Sequence, residues 1–312
     1  LQDFPQIKYI QALQEGTAVG MADGYAQATG RPAFANIHIA GGLANGISGL
    51  YNAFRGGVTL VLTAGNSDTR MHLTEPTLSG DLVEMTAQYT KWSAEVLHPS
   101  DIPMAVRRAF KEAKTPPTGP VFLSFPWDTM DETADMEIVA SSPGYFHIRP
   151  DIEAVARASQ LLTQAENPII IVGDRIAQAG AVSEMVRVAE VLGAQVYSAS
   201  FSEVNFPTSN SLYRGALNTS NPSTARLLAS AAVVLAVGTN VFSSFLYVAE
   251  PFLNAPTKLI HMDNNAREME KIYATEVGIF SDPKAGLAEL ADALDQDMPA
   301  SAREAAITRG AT

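Results

Sequence analysis

A glutamate near the start of the chain, Glu15, is the first residue whose type and position could support chemistry. It lies between Leu13 and Ala18, in a segment whose apolar residues recur every three or four positions, as in a packed helix. An ionised carboxylate in the packed part of a helix is costly unless a partner compensates it. We therefore expect a partner for Glu15. A surface position beside a basic residue is the alternative, because glutamate is usually exposed.

A histidine, His38, is the second candidate. It follows the short apolar run 33–37, which predicts a strand, and it precedes the glycine pair Gly41 and Gly42. Open α/β sheets bind ligands at the carboxyl ends of their strands, and an imidazole there can act as an acid or a base near neutral pH. A hydrogen-bonded structural histidine is the alternative.

Glycine-rich turns follow three predicted strands, at Gly41–Gly42, at Gly173 and at Gly238. None of them completes a dinucleotide-binding or P-loop motif, so Gly173 and Gly238 are interpreted as tight turns. The pair Gly41 and Gly42 differs because the other candidates surround it. The remaining histidines show no metal-ligand spacing and are interpreted as structural or surface residues: His72, His98, His147 and His261. We predict no metal site within this chain.

The elements that carry these candidates alternate between helices and strands. Residues 6–28 predict one or two helices that end at Gly30 and Pro32. The first half further predicts strands at 33–37, 58–64 and 121–125, and helices at 43–54, 78–89 and 103–113. Strands separated by helices are typical of a parallel sheet covered on both faces.

The same alternation restarts after residues 136–150, which lack a clear periodic pattern and are predicted to be a linker. The second half predicts helices at 152–162, 180–192, 223–229 and 284–293, strands at 169–172, 195–199, 233–237, 258–262 and 276–280, and an irregular stretch at 200–222. We therefore predict two doubly wound parallel-sheet α/β domains, residues 1–135 and 151–295. Residues 296–312 are expected to be a linker towards a further domain that this chain lacks.

Composition narrows the classes of function. A chain of 312 residues with 46% hydrophobic and 17% charged residues is neither disordered nor fibrous. The net charge of −12 disfavours nucleic acid as a partner, and the absence of cysteine excludes disulfides and thiolate metal sites. No apolar run reaches the ~18 residues of a membrane helix and no secretory signal is visible. We therefore expect a cytoplasmic protein without membrane association.

The chain resembles the thiamine diphosphate-dependent 2-oxo acid decarboxylases and carboligases, most closely the benzoylformate decarboxylase branch. These residues carry the resemblance: the run 13–32 with its Asp-Gly-Tyr-Ala-Gln-Ala sequence, His38, Gly42, Asn45, the segment 58–65, Lys91-Trp92-Ser93 and Gly119-Pro120-Val121. The resemblance is strong over residues 7–130, which look like the pyrimidine-binding domain of the family. It is weaker afterwards, where the second half is similar to the central domain.

The resemblance implies a task for Glu15. The matching glutamate of the family hydrogen-bonds N1′ of the aminopyrimidine and favours the imino tautomer, whose nitrogen removes the proton from thiazolium C2. The resemblance also implies that Gly41, Gly42 and Asn45 contact the cofactor, and that His38 handles protons on the covalent cofactor adducts. Because a carboxylate and a cofactor nitrogen would share a proton, we expect the pKa of Glu15 to matter.

Two features depart from the family pattern. Phe245 stands where the benzoylformate branch has a second active-site histidine, and a phenyl ring cannot transfer a proton. The family holds Mg²⁺ and the diphosphate through Gly-Asp-Gly followed by Asn-Asn; Gly173-Asp174-Arg175 and Asn264-Asn265 are interpreted as a chance match. The cofactors implied are thiamine diphosphate and Mg²⁺, with the Mg²⁺ ligands in the C-terminal domain that this chain lacks, so the chain alone is expected to be inactive.

The resulting functional hypothesis is the non-oxidative decarboxylation of a 2-oxo acid, benzoylformate-like or otherwise aromatic or branched, by a homodimer or homotetramer. One alternative is an acetolactate synthase-like carboligase, although such enzymes often carry histidine where this chain has Gln14. Another is a nucleotide-binding or regulatory module without catalysis, whose second domain would hold FAD, NAD or ADP.

Overall fold

The chain folds into two compact units, residues 1–144 and 145–312. The computed structural model describes residues 3–142, 144 and 147–311. The division falls within the predicted linker 136–150, of which residues 143, 145 and 146 lie outside the described residues. Each unit is a parallel sheet with helices packed on it, which confirms the predicted fold class.

The sheet of the first unit has four parallel strands in the order β1-β2-β4-β3. The strands are β1 (Ala33–Ile37), β2 (Leu60–Asn66), β3 (Ser93–Glu95) and β4 (Val121–Pro126). The α-helices are α1 (Glu15–Thr29), α2 (Ile39–Gly56), α3 (Leu82–Thr86), α4 (Ile102–Lys114) and α5 (Trp127–Asp131), and short 3₁₀ segments lie at Thr69–Thr74, Ala87–Tyr89 and Pro99–Asp101.

Strand β2 is apolar on both faces because helices cover both sides of the sheet. Leu60 and Leu62 join the core formed with α1 and α2, whereas Val61 between them joins the core formed with α4. Alternate residues of a strand point to opposite faces, so a continuous apolar run is what such a central strand needs. The covered faces leave the carboxyl ends of the strands as the accessible edge.

The sheet of the second unit has six parallel strands in the order β10-β9-β8-β5-β6-β7. The strands are β5 (Pro168–Val172), β6 (Gln195–Ser198), β7 (Tyr213–Ala216), β8 (Val233–Val237), β9 (Lys258–Asp263) and β10 (Val277–Phe280). The helices are α6 (Ile152–Gln164), α7 (Arg175–Gln178), α8 (Val182–Leu192), α9 (Pro222–Ala229), α10 (Pro283–Asp297) and α11 (Ala300–Gly310). The chain runs from β5 outwards to β7 and then from β8 outwards to β10, so β5 and β8 flank the point where the strand order reverses.

Several elements differ from the sequence-based expectations. The first helix begins at Glu15 rather than near residue 6, because the apolar residues before it contact too little of the chain to be buried; Leu13 is 98% exposed. The stretch 200–222 contains the strand β7, and the expected linker 296–312 contains α11. This helix packs on α8, with Ala306 buried and Arg309 donating a hydrogen bond to the carbonyl of Leu192.

Candidate functional site

Glu15 is the first residue of α1, so the expectation that it lies in the packed part of a helix is wrong. The preceding Gln14 caps the helix: its side-chain oxygen accepts the N–H of Thr17 at 2.9 Å. Gly16 makes this turn possible, because a Cβ there would lie 2.9 Å from Oε1 of Gln14 and 3.1 Å from the carbonyl oxygen of Asn45. The glutamate therefore stands where α1 begins and approaches α2.

The partner expected for Glu15 comes from α2 and is an amide. Asn45 donates a hydrogen bond from Nδ2 to Oε2 of Glu15 at 3.2 Å. The other carboxylate oxygen lies against Gly42, where a Cβ would be 2.9 Å from Oε1. Gly42 is buried in this contact, so only a residue without a side chain fits beside the carboxylate.

The surroundings of Glu15 favour its ionised form. Its own backbone N–H is the largest influence that lowers the pKa of the Glu15 carboxyl, followed by the amide of Asn45. Partial burial acts in the opposite direction, and His38 adds a small further lowering. The half-buried side chain is thus a carboxylate at neutral pH, and its oxygens are hydrogen-bond acceptors.

His38 lies at the carboxyl end of β1, as predicted. The helix α2 begins at the next residue and not at residue 43, so Gly41 and Gly42 lie within its first turn and not in a strand-to-helix turn. The ring of His38 is exposed and does not cap the helix. The next residue, Ile39, has a φ of +51°, a left-handed conformation that is rare for a β-branched side chain. Gly41 follows in the first turn of α2, and no atom lies within 4 Å of the position that its Cβ would occupy.

All five predicted site residues therefore lie around one place, where the start of α1 meets the start of α2. Glu15, Gly42 and Asn45 are in direct contact, and His38 and Gly41 flank them on the first turn of α2. The half-buried carboxylate of Glu15 keeps hydrogen-bond acceptor capacity that a ligand N–H group could use. The donor set fits such a group better than a metal ion. The part of the chain that the structure describes contains no group of three or more histidine, aspartate or glutamate side chains that could hold a metal.

A second polar group lies at the same edge of the sheet and was not predicted from the sequence. Glu95, the last residue of β3, accepts hydrogen bonds from Nδ2 of Asn66 at 2.8 Å and from Oγ of Ser124 at 2.7 Å. Asn66 also donates to the carbonyl of Gly80 at 3.3 Å, and Gly80 packs beside Ala40 in the first turn of α2. No strand was predicted at 93–95, so the sequence carried no signal for Glu95.

Phe245 belongs to the second unit, in the segment that follows β8, and is 81% exposed. A phenyl ring has no titratable group, so this side chain cannot transfer a proton. Among the helices of the described residues, none is long and apolar enough to cross a membrane.

Comparison with known proteins matches two separate parts of the chain to family models. Residues 1–85 match the family model for the thiamine pyrophosphate enzyme N-terminal TPP binding domain, and residues 155–290 match the model for the thiamine pyrophosphate enzyme central domain. Both ranges lie where the sequence resemblance had placed the pyrimidine-binding and central domains.

Three similar proteins illustrate the match. Benzoylformate decarboxylase of Pseudomonas aeruginosa is 34% identical over 84% of this chain and 51% of its own length. The acetolactate synthase large subunit of Corynebacterium glutamicum is 28% identical over 91% of this chain and 46% of its own length. The crystal structure of benzoylformate decarboxylase from Polynucleobacter necessarius superimposes with a TM-score of 0.84 at 30% identity, over 94% of this chain and 56% of that one. The chain spans about half the length of the curated relatives it matches.

Proposed function

Since this chain belongs to the thiamine pyrophosphate enzymes and carries their N-terminal TPP binding domain and central domain, we propose that its parent protein decarboxylates a 2-oxo acid without oxidation. The single observation that supports the proposal is the position of the Glu15 carboxylate at the start of α2. Asn45 donates a hydrogen bond to it, and Gly42 leaves room for it because it has no side chain. A fixed, ionised acceptor beside open space suits the aminopyrimidine of thiamine diphosphate. When bound, this cofactor supplies a thiazolium ring that accepts the electron pair left behind as CO₂ departs.

The proposed role of Glu15 is to hold a proton on the pyrimidine ring. Its lowered pKa keeps the side chain ionised, so that it accepts a hydrogen bond from N1′–H and stabilises the protonated ring nitrogen. Asn45 orients the carboxylate through Oε2. Gly42 leaves Oε1 within reach of the ring, and Gly41 keeps the approach open.

The proposed role of His38 is to move a proton to or from the reacting carbon and oxygen of the substrate. Its exposed imidazole lies at the carboxyl end of β1, the edge at which α/β sheets bind ligands. An imidazole can exchange protons in the pH range in which most enzymes work. The left-handed Ile39 fixes the turn that presents it.

We assign an aromatic or branched 2-oxo acid as the substrate, by analogy with the benzoylformate decarboxylase that is 34% identical. A carboligase is the second candidate, because the acetolactate synthase large subunit is 28% identical over most of the chain. The proposal includes Mg²⁺ for the diphosphate group, and it places the Mg²⁺ ligands outside this chain.

We propose a homodimer or homotetramer as the functional assembly. The support is the outer face of α1, where Met21 and Tyr25 are exposed, and where Gly20 and Gly24 have no neighbour within 4 Å of their Cβ positions. Small residues along a helix allow close approach of another helix. Analytical ultracentrifugation of the parent protein, compared with a Tyr25→Glu variant, would test this assignment.

The function is tested by incubating the parent protein with thiamine diphosphate, Mg²⁺ and either benzoylformate or pyruvate. We expect release of CO₂ and benzaldehyde from benzoylformate, with a kcat/KM at least tenfold above that for pyruvate. Acetolactate as the main product from pyruvate would support the carboligase instead. No cofactor-dependent turnover of either acid would contradict both candidates.

A further inference from the structure

The second unit has the strand order of a dinucleotide-binding sheet. Taken from β5, its strands run in the order third, second, first, fourth, fifth and sixth, and nucleotides bind such sheets at the carboxyl ends of the first and fourth strands. Here these strands are β5 and β8, which are followed directly by Gly173 and Gly238. The topology therefore raises the question of what lies in this crevice.

The two turns that should open around a diphosphate are packed against each other. The N–H of Gly173 donates to the carbonyl of Val237 at 3.0 Å, and the N–H of Arg175 donates to the carbonyl of Gly238 at 3.3 Å. A Cβ at Gly173 would lie 2.3 Å from the carbonyl oxygen of Gly238. The glycines thus serve contact between two turns rather than the approach of a phosphate.

The side chain of Arg175 lies across these turns and bonds to groups at the ends of two other strands. Its guanidinium forms a two-pronged ion pair with Asp263 at the end of β9, with Nε–Oδ1 and Nη2–Oδ2 distances of 2.8 Å. Nη2 also donates to Oδ1 of Asn240 at 2.9 Å, in the segment that follows β8. Arg175 therefore ties the ends of β5, β8 and β9 together.

The carboxylate of Asp263 has no capacity left for a ligand. It is fully buried, and Oδ1 also accepts the N–H of Asn265 at 2.8 Å, while His261 lies 3.4 Å from Oδ2. Burial alone would raise the pKa of Asp263, but the charge of Arg175 and the contact with His261 outweigh it, so that the pKa is lowered. Asp263 is an internal counter-ion.

Two further requirements of a nucleotide are missing from the described residues of this edge. Strand β6 ends in Ser198 and continues with Ala199 and Ser200, without the acidic residue that binds a ribose at this position. The cavity between the ends of β5, β6 and β8, lined by Ala199, Thr239 and Asn240 among others, measures about 10 Å³. That volume holds about one water molecule.

We infer that the second unit binds no nucleotide in this crevice. The ion pair of Arg175 and Asp263 lies where the nucleotide would bind, and it joins the strand ends that a nucleotide would otherwise bridge. This inference concerns a site separate from Glu15 and does not rest on the proposed function. The pair is a structural replacement for a ligand.

Calorimetric titration with FAD, NAD⁺ and ADP tests whether the crevice is filled. We expect no saturable heat up to 1 mM of any of the three with the full chain. Binding that an Arg175→Met/Asp263→Leu double variant retains would lie elsewhere and agree with a filled crevice. Binding at one nucleotide per chain that this double variant loses would overturn the inference.

A double-mutant cycle tests whether the pair replaces a ligand. Removing one partner leaves a buried charge or buried polar groups unpaired, so Arg175→Met and Asp263→Leu should each lower the melting temperature by roughly 10 °C. The double variant should recover most of this loss, and its melting temperature should lie within about 5 °C of that of the unsubstituted chain.

The matched control is Arg187→Met, which removes ion pairs with Asp292 and Asp295 on the surface of the same unit. It should shift the melting temperature by less than about 2 °C, because exposed pairs contribute little. An Arg175→Met variant that melts like this control would contradict the inference. So would a double variant that melts as low as the single variants or does not fold.

Discussion

Acidic side chains lie near the carboxyl ends of the strands in both sheets, but they differ in how completely they are hydrogen-bonded. In the first unit Glu15 has one amide partner from another element and is only half-buried, against Gly42. In the second unit Asp263 is saturated by Arg175, Asn265 and His261 and is completely buried. A parallel α/β sheet therefore does not by itself define a binding site. We propose the binding site where the polar side chains near the carboxyl edge of a sheet leave hydrogen-bonding capacity unused.

The glycines at the two edges differ in the same way. Gly42 makes room for a side-chain carboxylate, whereas Gly173 makes room for the backbone of a neighbouring turn. A side chain can move to accommodate an added methyl group, but a backbone carbonyl held between two packed turns cannot move without disturbing both turns. The comparison separates residues whose replacement should alter function from residues whose replacement should alter stability.

The largest expected effect is the loss of catalysis in Glu15→Gln of the parent protein. The amide keeps the size of the side chain but cannot stabilise a protonated ring nitrogen, so kcat/KM should fall at least about 100-fold. Steady-state decarboxylation assays with saturating cofactor measure this fall in kcat/KM. The control is Glu84→Gln, an exposed glutamate of α3. A change in Glu15→Gln of less than about threefold, or ~0.7 kcal/mol of barrier, would show that Glu15 has no catalytic role.

The next effect contrasts Gly173→Ala with Gly42→Ala. An alanine at 173 places Cβ 2.3 Å from a backbone carbonyl, so the free energy of unfolding should fall by about 3 kcal/mol. An alanine at 42 displaces the Glu15 carboxylate, so activity should fall about tenfold with ~1 kcal/mol or less of stability lost. Urea unfolding and activity assays on both variants measure the contrast. Equal losses of stability in Gly173→Ala and Gly42→Ala would contradict the view that Gly173 serves stability and Gly42 serves function.

A smaller effect concerns Lys91, whose ammonium group caps the end of α4. Nζ donates to the carbonyls of Glu112 and Thr115, and Gly119 leaves room for the side chain. Burial lowers the pKa of Lys91 to about 8. Between this value and its ordinary pKa the unfolded chain binds more protons than the folded one, so stability should rise with pH from about 8 to 10.5. Because Lys91 is partly exposed, solvent screening reduces the effect, and the expected gain in the free energy of unfolding is on the order of 1 kcal/mol.

Urea unfolding at pH 7.5 and pH 9.5 checks the prediction for Lys91. Tryptophan fluorescence reports on the first unit, because Trp92 and Trp127 both lie there. Lys91→Met removes the titrating group, so the stability difference between the parent chain and this variant should shift in favour of the parent chain as the pH rises. An unchanged difference would mean that the pKa of Lys91 is the same in the folded and unfolded chains.

The smallest effect is a gain in stability from Gly20→Ala. This glycine lies within α1 and has no atom within 4 Å of its Cβ position in the chain. Alanine favours a helix interior by roughly 0.5–1 kcal/mol over glycine, and the gain is measured by urea unfolding. Gly24→Ala provides a second position of the same kind in the same helix. The measurement is made at a concentration at which the chain is monomeric, because the proposed oligomer would cover this face of α1. A loss of stability of the monomer at both positions would contradict the prediction.

The strands were predicted well from the sequence because their apolar runs are bounded by turns. β1 and β8 have the predicted bounds, residues 33–37 and 233–237. The start of α1 was placed wrongly because the spacing of apolar residues does not show whether anything buries them. Strand β3 was missed because its three residues, Ser93–Glu95, are only half-buried and give no apolar run.

The candidate site was predicted as residue types but not as contacts. Glu15 and Asn45 lie 30 residues apart, and only the packing of α1 on α2 brings them together. The pair of Arg175 and Asp263 spans 88 residues, and only the order of β5, β8 and β9 makes it visible. Contacts between elements depend on topology, which local spacing does not encode.

The most direct measurement of the central claim is the binding of two cofactors to two proteins. Thiamine diphosphate and its analogue with a carbon in place of N1′ are each titrated, with Mg²⁺, into the parent protein and into Glu15→Ala. If Glu15 binds the N1′ position, the parent protein should prefer thiamine diphosphate at least about tenfold, and Glu15→Ala should bind both almost equally. An equal preference in the two proteins would contradict the assignment of Glu15 to the pyrimidine ring.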